Sequence, residues 1–297
     1  MDENDLNQFT CEELPLFQTA DADKGTKITT NYSDIDFSHW KDYLDTVITD
    51  SLWLLGRRDN SGPHSADYWG NFVPQILHQV MLRFTKRYEI VVDLFSGLGT
   101  TLIECKRLGR HGIGVELNKD VALQSERIIT RAENPYGITT KVLAGLDSTT
   151  KEARESICDQ LKVLGVTQAH CLILHPPYHD IIKFSDNPRD LSNASSVSDF
   201  LEGFSKAVEN AVSLLQRGRF LALVIGDKYV KGEWIPLGFE CMRVCQSLGL
   251  TLKAINVKDI QGNERGKGVQ GNLWRYRALK GGFYIFKHEY IMILRKS

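Results

Sequence analysis

From Tyr88 onward, short β-branched apolar runs alternate with stretches whose apolar residues recur every three or four positions. The runs cover residues 90–94, 112–116, 141–144, 171–174, 220–225, 252–257 and 284–294, and helical periods occupy, among others, 121–131 and 200–215. Brief apolar runs bounded by Gly, Asn and Asp read as buried strands, and the longer period reads as amphipathic helix. Their alternation predicts a Rossmann-like α/β fold: a doubly wound, mostly parallel sheet of seven strands with helices on both faces. The last strand is approached differently. Residues 261–282 are rich in Gly and Arg and show no helical period, which predicts a long loop or insertion over 259–283, and loops of that length in a compact domain tend to be functional.

Before Tyr88 the pattern is weaker. The chain mixes short apolar groups with Thr, Asp and Lys until Trp40, Tyr43, Leu44, Val47, Ile48, Leu52 and Leu55 fall at helical spacing. The expectation is a loosely docked arm followed by a helix over 1–60, a Gly-, Asn- and Pro-containing loop, and one catalytic domain over 61–297.

Composition is ordinary for a globular protein, with 42% hydrophobic and 25% charged residues. No apolar run approaches the ~20 residues that span a bilayer. The acidic N-terminus also lacks the basic-then-apolar order of a signal peptide, so a cytoplasmic protein is expected. The six cysteines are scattered, and Cys241 and Cys245 have no second Cys/His pair nearby, so reduced thiols and no metal site are expected. The net charge of -1 hides an asymmetry: residues 1–50 hold 12 acidic and 3 basic residues, whereas 251–297 hold 3 acidic and 10 basic ones. A basic C-terminal quarter suits contact with phosphates, though a solvated charged face would look the same.

Two strand ends carry the candidate chemistry. At the first, Val91-Val92-Asp93-Leu94-Phe95-Ser96-Gly97-Leu98-Gly99-Thr100-Thr101 leaves a strand and opens a helix. Gly97 and Gly99 let the backbone turn sharply and approach a ligand. About twenty residues on, the next strand ends in Glu116, where a carboxylate can accept from both hydroxyls of a ribose. No Gly-Lys-Ser/Thr follows, which excludes a phosphate-gripping P-loop.

The string Asp93 to Thr101 resembles the first cofactor motif of amino-group DNA methyltransferases, commonly Asp-Pro-Phe-x-Gly-Ser-Gly-Thr-Thr, and departs from it at Leu94 and Leu98. Upstream, Tyr68-Trp69-Gly70-Asn71-Phe72-Val73-Pro74-Gln75 resembles the family's segment before the first strand, which helps hold the methionine end of the cofactor. Downstream, Gly145-Leu146-Asp147-Ser148 follows the third strand, where the family has an Asp for the adenine amino group; Leu146 interrupts the usual Gly-Asp pair. The resemblance implies S-adenosylmethionine as cofactor. Its binding residues would be Asn71, Phe72 and Pro74; Asp93, Phe95, Ser96, Gly97, Gly99, Thr100 and Thr101; Glu116 and Leu117; and Asp147 and Ser148.

At the second strand end, residues 171–174 run into His175-Pro176-Pro177-Tyr178. Two prolines after a strand make a stiff loop at the edge where open α/β sheets bind ligands. An exocyclic amino nitrogen is a poor nucleophile because its lone pair is delocalised into the ring. Acceptors for its two N–H groups, a side chain and a proline carbonyl, draw it towards tetrahedral geometry, and an aromatic face can stack the extruded base. The resembled family has Asp, Asn or Ser before Pro-Pro and an aromatic residue, so His175 departs from it; a neutral imidazole can still accept one hydrogen bond. His175, Pro176, Pro177 and Tyr178 are thus the candidate catalytic residues. Cytosine N4 and adenine N6 both remain open as targets.

The polar, aromatic stretch 179–193 resembles the family's loop beside the target base and offers Phe184 and Arg189. Arg265, Lys267, Arg275 and Arg277, interleaved with Trp274 and Tyr276, are candidates for phosphates and base edges. Further on, Asp227 at the end of the fifth strand faces either the pocket or a helix cap. The expected partner is double-stranded DNA, read sequence-specifically, with a cognate restriction nuclease as a possible companion. Two alternatives stay open: an RNA or protein-amide methyltransferase using similar Pro-Pro-Tyr chemistry, and an inactive nucleic-acid-binding subunit of the same fold. Methylation at cytosine C5 is excluded because it uses a cysteine beside a proline, and the chain has no Pro-Cys pair.

Overall fold

The computed structural model describes residues 32–64, 70, 73–230, 232–260 and 271–297. Within Tyr32–Ser297, eight strands form one sheet: β1 (Leu52–Trp53), β2 (Ile90–Asp93), β3 (His111–Glu116), β4 (Thr140–Ala144), β5 (Ala169–Leu174), β6 (Leu215–Ile225), β9 (Leu250–Asp259) and β10 (His288–Lys296). Between β6 and β9 lies a separate antiparallel hairpin, β7 (Lys228–Val230) and β8 (Glu233–Ile235). The sheet order is β1-β9-β10-β6-β5-β2-β3-β4, and only β10 runs antiparallel to its neighbours. The chain leaves β2 towards β3 and β4, then returns to place β5 on β2's other side, so the order reverses between β2 and β5. Ligands of open α/β sheets bind at such a reversal, beyond the carboxyl ends of the strands.

The period of two along the central strands builds two cores. Val92, Leu172, Leu174, Leu221, Leu223 and Met292 face α4 (Lys151–Val163), α5 (Val197–Leu214) and α6 (Leu237–Ser247). Val91, Ile173, Ala222, Val224, Ile291 and Ile293 face Ile76, Leu77, Val80 and Met81 of α1 (Pro74–Phe84). Both faces of the central strands are therefore covered, which is why they read as continuous apolar runs. Helices α2 (Thr100–Leu108) and α3 (Lys119–Thr130) close a third cluster with Val142 of β4.

Two expectations are corrected. No helix spans 40–55: a 3₁₀ turn covers Phe37–Tyr43, and the chain then extends into β1, which pairs in parallel with β9, Leu52 against Val257 and Trp53 against Lys258. The β-branched run Thr46-Val47-Ile48-Thr49 favours extended backbone, and Gln79 of α1 clamps it, accepting from the Ile48 amide and donating to the Thr46 carbonyl, each at 2.8 Å. That strap is the eighth strand, and residues 32–60 belong to the same compact unit as the rest. The second correction is α7 (Gly271–Gly281), a helix where a loop was expected. It shows no amphipathic period because it buries no face: Leu273, Tyr276 and Leu279 are exposed. It is supported instead by helix-forming Leu, Arg, Ala and Lys and by two cation–π pairs, Arg277 over Trp274 and Lys280 over Tyr276. Cys241 and Cys245 are buried in α6 as free thiols.

Candidate active site

The candidate cofactor side is a turn folded on itself. Gly97 (φ 50°) and Gly99 (φ 80°) take left-handed backbone that other residues adopt only under strain. A Cβ on Gly99 would also meet Ser125 Oγ at 2.4 Å. Asp93, fully buried at the end of β2, holds both ends of the turn: it accepts from the Phe95 amide at 2.9 Å and from the Thr101 hydroxyl. Burial pushes its carboxyl up to about 6, against these two bonds. Thr100 and Thr101 open α2, and the Gly99 carbonyl accepts from Leu102 and Ile103 at 3.0 Å each. The Ser96 amide donates to the Val115 carbonyl at 2.9 Å, and Phe95 packs against the core.

Glu116, at the end of β3, bridges this turn to the start of α3, accepting from the Gly97 amide at 2.9 Å and the Asn118 amide at 2.8 Å. Burial, with Asp190 and Asp93 nearby, raises its carboxyl to about 7. Asp147 accepts from the amide and hydroxyl of Thr149, and Ser148 donates to the Leu94 carbonyl at 2.5 Å, tying the end of β4 to the glycine turn. A cleft of about 310 Å³ opens here, lined by Leu117, Asn118, Lys119 and Gly145 on one side and Ser185, Asn187 and Arg189 on the other. The glycine turn, the Glu116 carboxylate bonded to it and the cleft beginning at the next residue, Leu117, are together compatible with an adenosine cofactor. Pro74 is buried as the first residue of α1; Asn71 and Phe72 lie outside the described residues.

The candidate target side begins at the end of β5, next to β2. His175 and Tyr178 are half-buried, their rings edge to face at 5.7 Å, with Pro176 buried between them. His175 Nε2 lies 3.3 Å from the Tyr178 hydroxyl, which donates to Glu289 Oε2 at 2.9 Å. Glu289 in turn accepts from Lys258 Nζ at 3.0 Å, across the register pair that joins β9 and β10. Burial drives the His175 imidazole down to about 4, only partly opposed by Glu289, so the ring is neutral near pH 7. Burial and Glu289 together push the Tyr178 phenol well up. The Tyr178 ring packs on Gly226, where a Cβ would meet Cε2 at 3.0 Å. Asp227 turns to the cap of α6, accepting from the Gly238 amide at 2.9 Å and from Trp234 Nε1 and the Tyr290 hydroxyl at 3.0 Å each.

The loop after Tyr178 is held rigidly. Asp190 accepts from the Ser185 hydroxyl and from the amide and hydroxyl of Ser192, and Asn193 donates to the Ser185 and Asn187 carbonyls. The loop brings Phe184 against Gly70 and exposed Arg189 to the cleft beside Glu116, so both stand nearer the cofactor side than the sequence suggested. Arg275 and Arg277 are exposed on α7; Arg265 and Lys267 lie outside the described residues.

Sequence reasoning missed Lys258 and Glu289, and also Lys228. Buried Lys228 donates to His179 Nδ1 at 2.8 Å and pairs with Asp180, fixing the residue after Tyr178 in left-handed backbone (φ 52°). The available signal was a charged residue at the end of an apolar strand; what joins them, the antiparallel return of β10, is visible only in the fold.

Residues 22–127, which contain the glycine turn and Glu116, match the DNA methylase family that methylates N6 or N4 amino groups. Over those residues, about a third of its length, the chain is similar to DNA methylases of that family. The likeness implies S-adenosylmethionine as the methyl donor. A type II methyltransferase of Methanocaldococcus jannaschii, M.MjaII, is 30% identical over 94 residues, 31% of this chain and 17% of that relative, so the chain matches less than a fifth of the relative's length. Among solved structures, TrmN from Thermus thermophilus covers 76% of this chain and is itself covered over 49%, with 13% identity and a TM-score of 0.45. A methyltransferase from Pyrococcus furiosus gives 76% and 84%, with 16% identity and a TM-score of 0.43.

Proposed function

We propose that this protein transfers a methyl group from S-adenosylmethionine to an exocyclic amino group, cytosine N4 or adenine N6, at specific sites in double-stranded DNA, acting in the cytoplasm. One observation carries the reading: the glycine turn after β2 and the Pro-Pro-Tyr loop after β5 leave adjacent parallel strands at the point where the sheet order reverses. A cofactor seated on the first and a base seated on the second would meet there. When bound, the cofactor supplies a sulfonium-linked methyl group. The residues of the chain do the rest.

Glu116 would hold the ribose hydroxyls, and the backbone of Ser96 to Gly99 would hold the methionine end. The Pro176 carbonyl and His175, neutral and therefore able to accept, take the two N–H groups of the target, and Tyr178 lines the pocket for the extruded ring. The amino nitrogen would form a bond to the methyl carbon as the carbon–sulfur bond breaks, and would lose one proton, which the neutral imidazole could take up. Exposed Arg275 and Arg277 on α7, with no acidic residue in that helix, suit phosphate contact. A nuclease reading the same sites is the partner this activity would imply.

The test is transfer of tritiated methyl from the cofactor to duplex DNA and, separately, to RNA. Label in DNA is expected. Label in RNA alone would reassign the substrate, and cofactor binding without label in either polymer would make the chain a nucleic-acid-binding subunit.

A further inference from the structure

The residue after Tyr178 is held in a conformation it would rarely adopt alone. His179 has φ 52°, left-handed backbone that a residue with a side chain keeps only when its surroundings hold it there, and such residues gather at functional sites. Three segments supply those surroundings. The ring tilts against Phe200 of α5, with centroids 5.7 Å apart. Nε2 lies 2.9 Å from the Ala194 carbonyl, and Nδ1 lies 2.8 Å from Lys228 Nζ at the start of β7. A carbonyl only accepts and an ammonium only donates, so both ring nitrogens are committed, with the imidazole proton on Nε2.

Lys228 is the member whose presence needs a reason. Only 3% of its side chain is exposed, and for packing alone an apolar residue would serve without burying an ammonium. Its partners are His179 and Asp180, the two residues after Tyr178, and the pairing holds the Asp180 carboxyl below the usual carboxylate range. Two residues before Lys228, Gly226 lies under the Tyr178 ring, where a Cβ would meet Cε2 at 3.0 Å. Asp227, between them, turns instead to the start of α6. Alternation along extended backbone thus sets Gly226 and Lys228 on one side, and the chain leaving β6 meets the loop at two successive points: the Tyr178 ring and the turn that follows it.

We propose that Lys228 is a positioning residue for the target pocket: bonded to His179 and Asp180, it fixes the left-handed turn after Tyr178 and so the setting of the Tyr178 ring against Gly226. The consequence for the reaction rests on the methyl-transfer reading above, in which that ring lines the pocket for the extruded base. The far end of the loop, beside the cofactor cleft, has its own bonds from Asp190 and Asn193. Loss of Lys228 should therefore fall on transfer and spare the cofactor.

Two variants of the full chain test this. Lys228→Met keeps the apolar stem and loses the ammonium, and Lys228→Ala leaves room for a small amine. In both, transfer of tritiated methyl to duplex DNA at saturating cofactor should fall by roughly 100-fold, as for other small misplacements of a reacting group, while cofactor affinity in calorimetry stays within about twofold. Propylammonium should restore much of the transfer by Lys228→Ala and leave Lys228→Met unchanged; the same concentration of tetramethylammonium, which has no N–H to donate, should restore none. Long-range proton–nitrogen correlation spectra, labelled at histidine nitrogen and assigned by the signals lost in His179→Gln, should show the His179 proton on Nε2 and an Nδ1 resonance that moves in Lys228→Met. Near-normal transfer by Lys228→Met, a loss of cofactor affinity that matches the loss of transfer, a Lys228→Ala variant indifferent to propylammonium, or a His179 Nδ1 resonance unmoved in Lys228→Met would each overturn the proposal. The expected spectra in a wild-type protein that labels no nucleic acid would uphold the Lys228 contact and defeat the methyl-transfer reading instead.

Discussion

The two halves of the reaction centre are built by opposite means. On the cofactor side, Asp93, Gly97, Gly99, Thr101 and Glu116 lie within two dozen residues of one another, and their bonds run mainly from side chain to nearby backbone. On the proposed target side, His175, Tyr178, Lys258 and Glu289 span more than a hundred residues and are linked by side-chain hydrogen bonds. A site made of backbone amides and glycine turns tolerates changes such as Leu94 and Leu98, because the contacts do not depend on those side chains. A site made of side chains from distant strand ends tolerates a new first residue, His175, only if the residues packed behind it suit that side chain.

Breaking the cofactor half should have the largest effect. Gly97→Val forces a β-branched residue into left-handed backbone and displaces the amide that donates to Glu116. We expect cofactor affinity to drop by roughly 100-fold or more in calorimetry. Binding within a few-fold of wild type would show that the turn does not hold the cofactor. Tyr178→Ala is the complementary cut. Transfer should fall by about 100-fold while cofactor affinity stays within about twofold; normal turnover would remove the Pro-Pro-Tyr loop from the reaction.

The pH dependence of the halves should also differ in sign. Glu116, raised from 4.5 to about 7, keeps a proton in the folded protein that the unfolded chain has lost, so its contribution to stability is present at low pH and is lost as pH rises through 7. The diol of a bound ribose prefers the carboxylate, so cofactor affinity should rise from pH 6 to pH 8, and Glu116→Gln should flatten that rise. His175, lowered from 6.5 to about 4, behaves oppositely: the unfolded chain gains its proton first, and stability is lost as pH falls from 6.5 towards 4. An affinity that is flat across pH 6 to 8 in the wild type would remove Glu116 from ribose binding. The smallest effect belongs to α7. Arg275→Ala with Arg277→Ala should weaken DNA binding and lower the slope of log affinity against log salt by about 2; an unchanged salt titration would detach α7 from DNA.

This contrast also explains what could be read from sequence. The central strands, α3, α5 and the glycine turn are local patterns, each complete within a dozen or so residues, and they were legible. The strap at 46–53 was not, because its apolar spacing fits a helix and only pairing with β9 makes it a strand. Helix α7 was hidden for the converse reason, since a helix with no buried face leaves no period. Glu289 and Lys258 look like ordinary strand-end charges until β10 returns antiparallel between β6 and β9.

Mass analysis of the nucleosides in duplex DNA incubated with the protein and S-adenosylmethionine carrying an isotopically heavy methyl tests the central claim most directly. The account predicts the heavy methyl on the exocyclic nitrogen of a single base type, N4-methylcytosine or N6-methyladenine. Heavy methyl on cytosine C5, or none in DNA under conditions where the cofactor is bound, would contradict it.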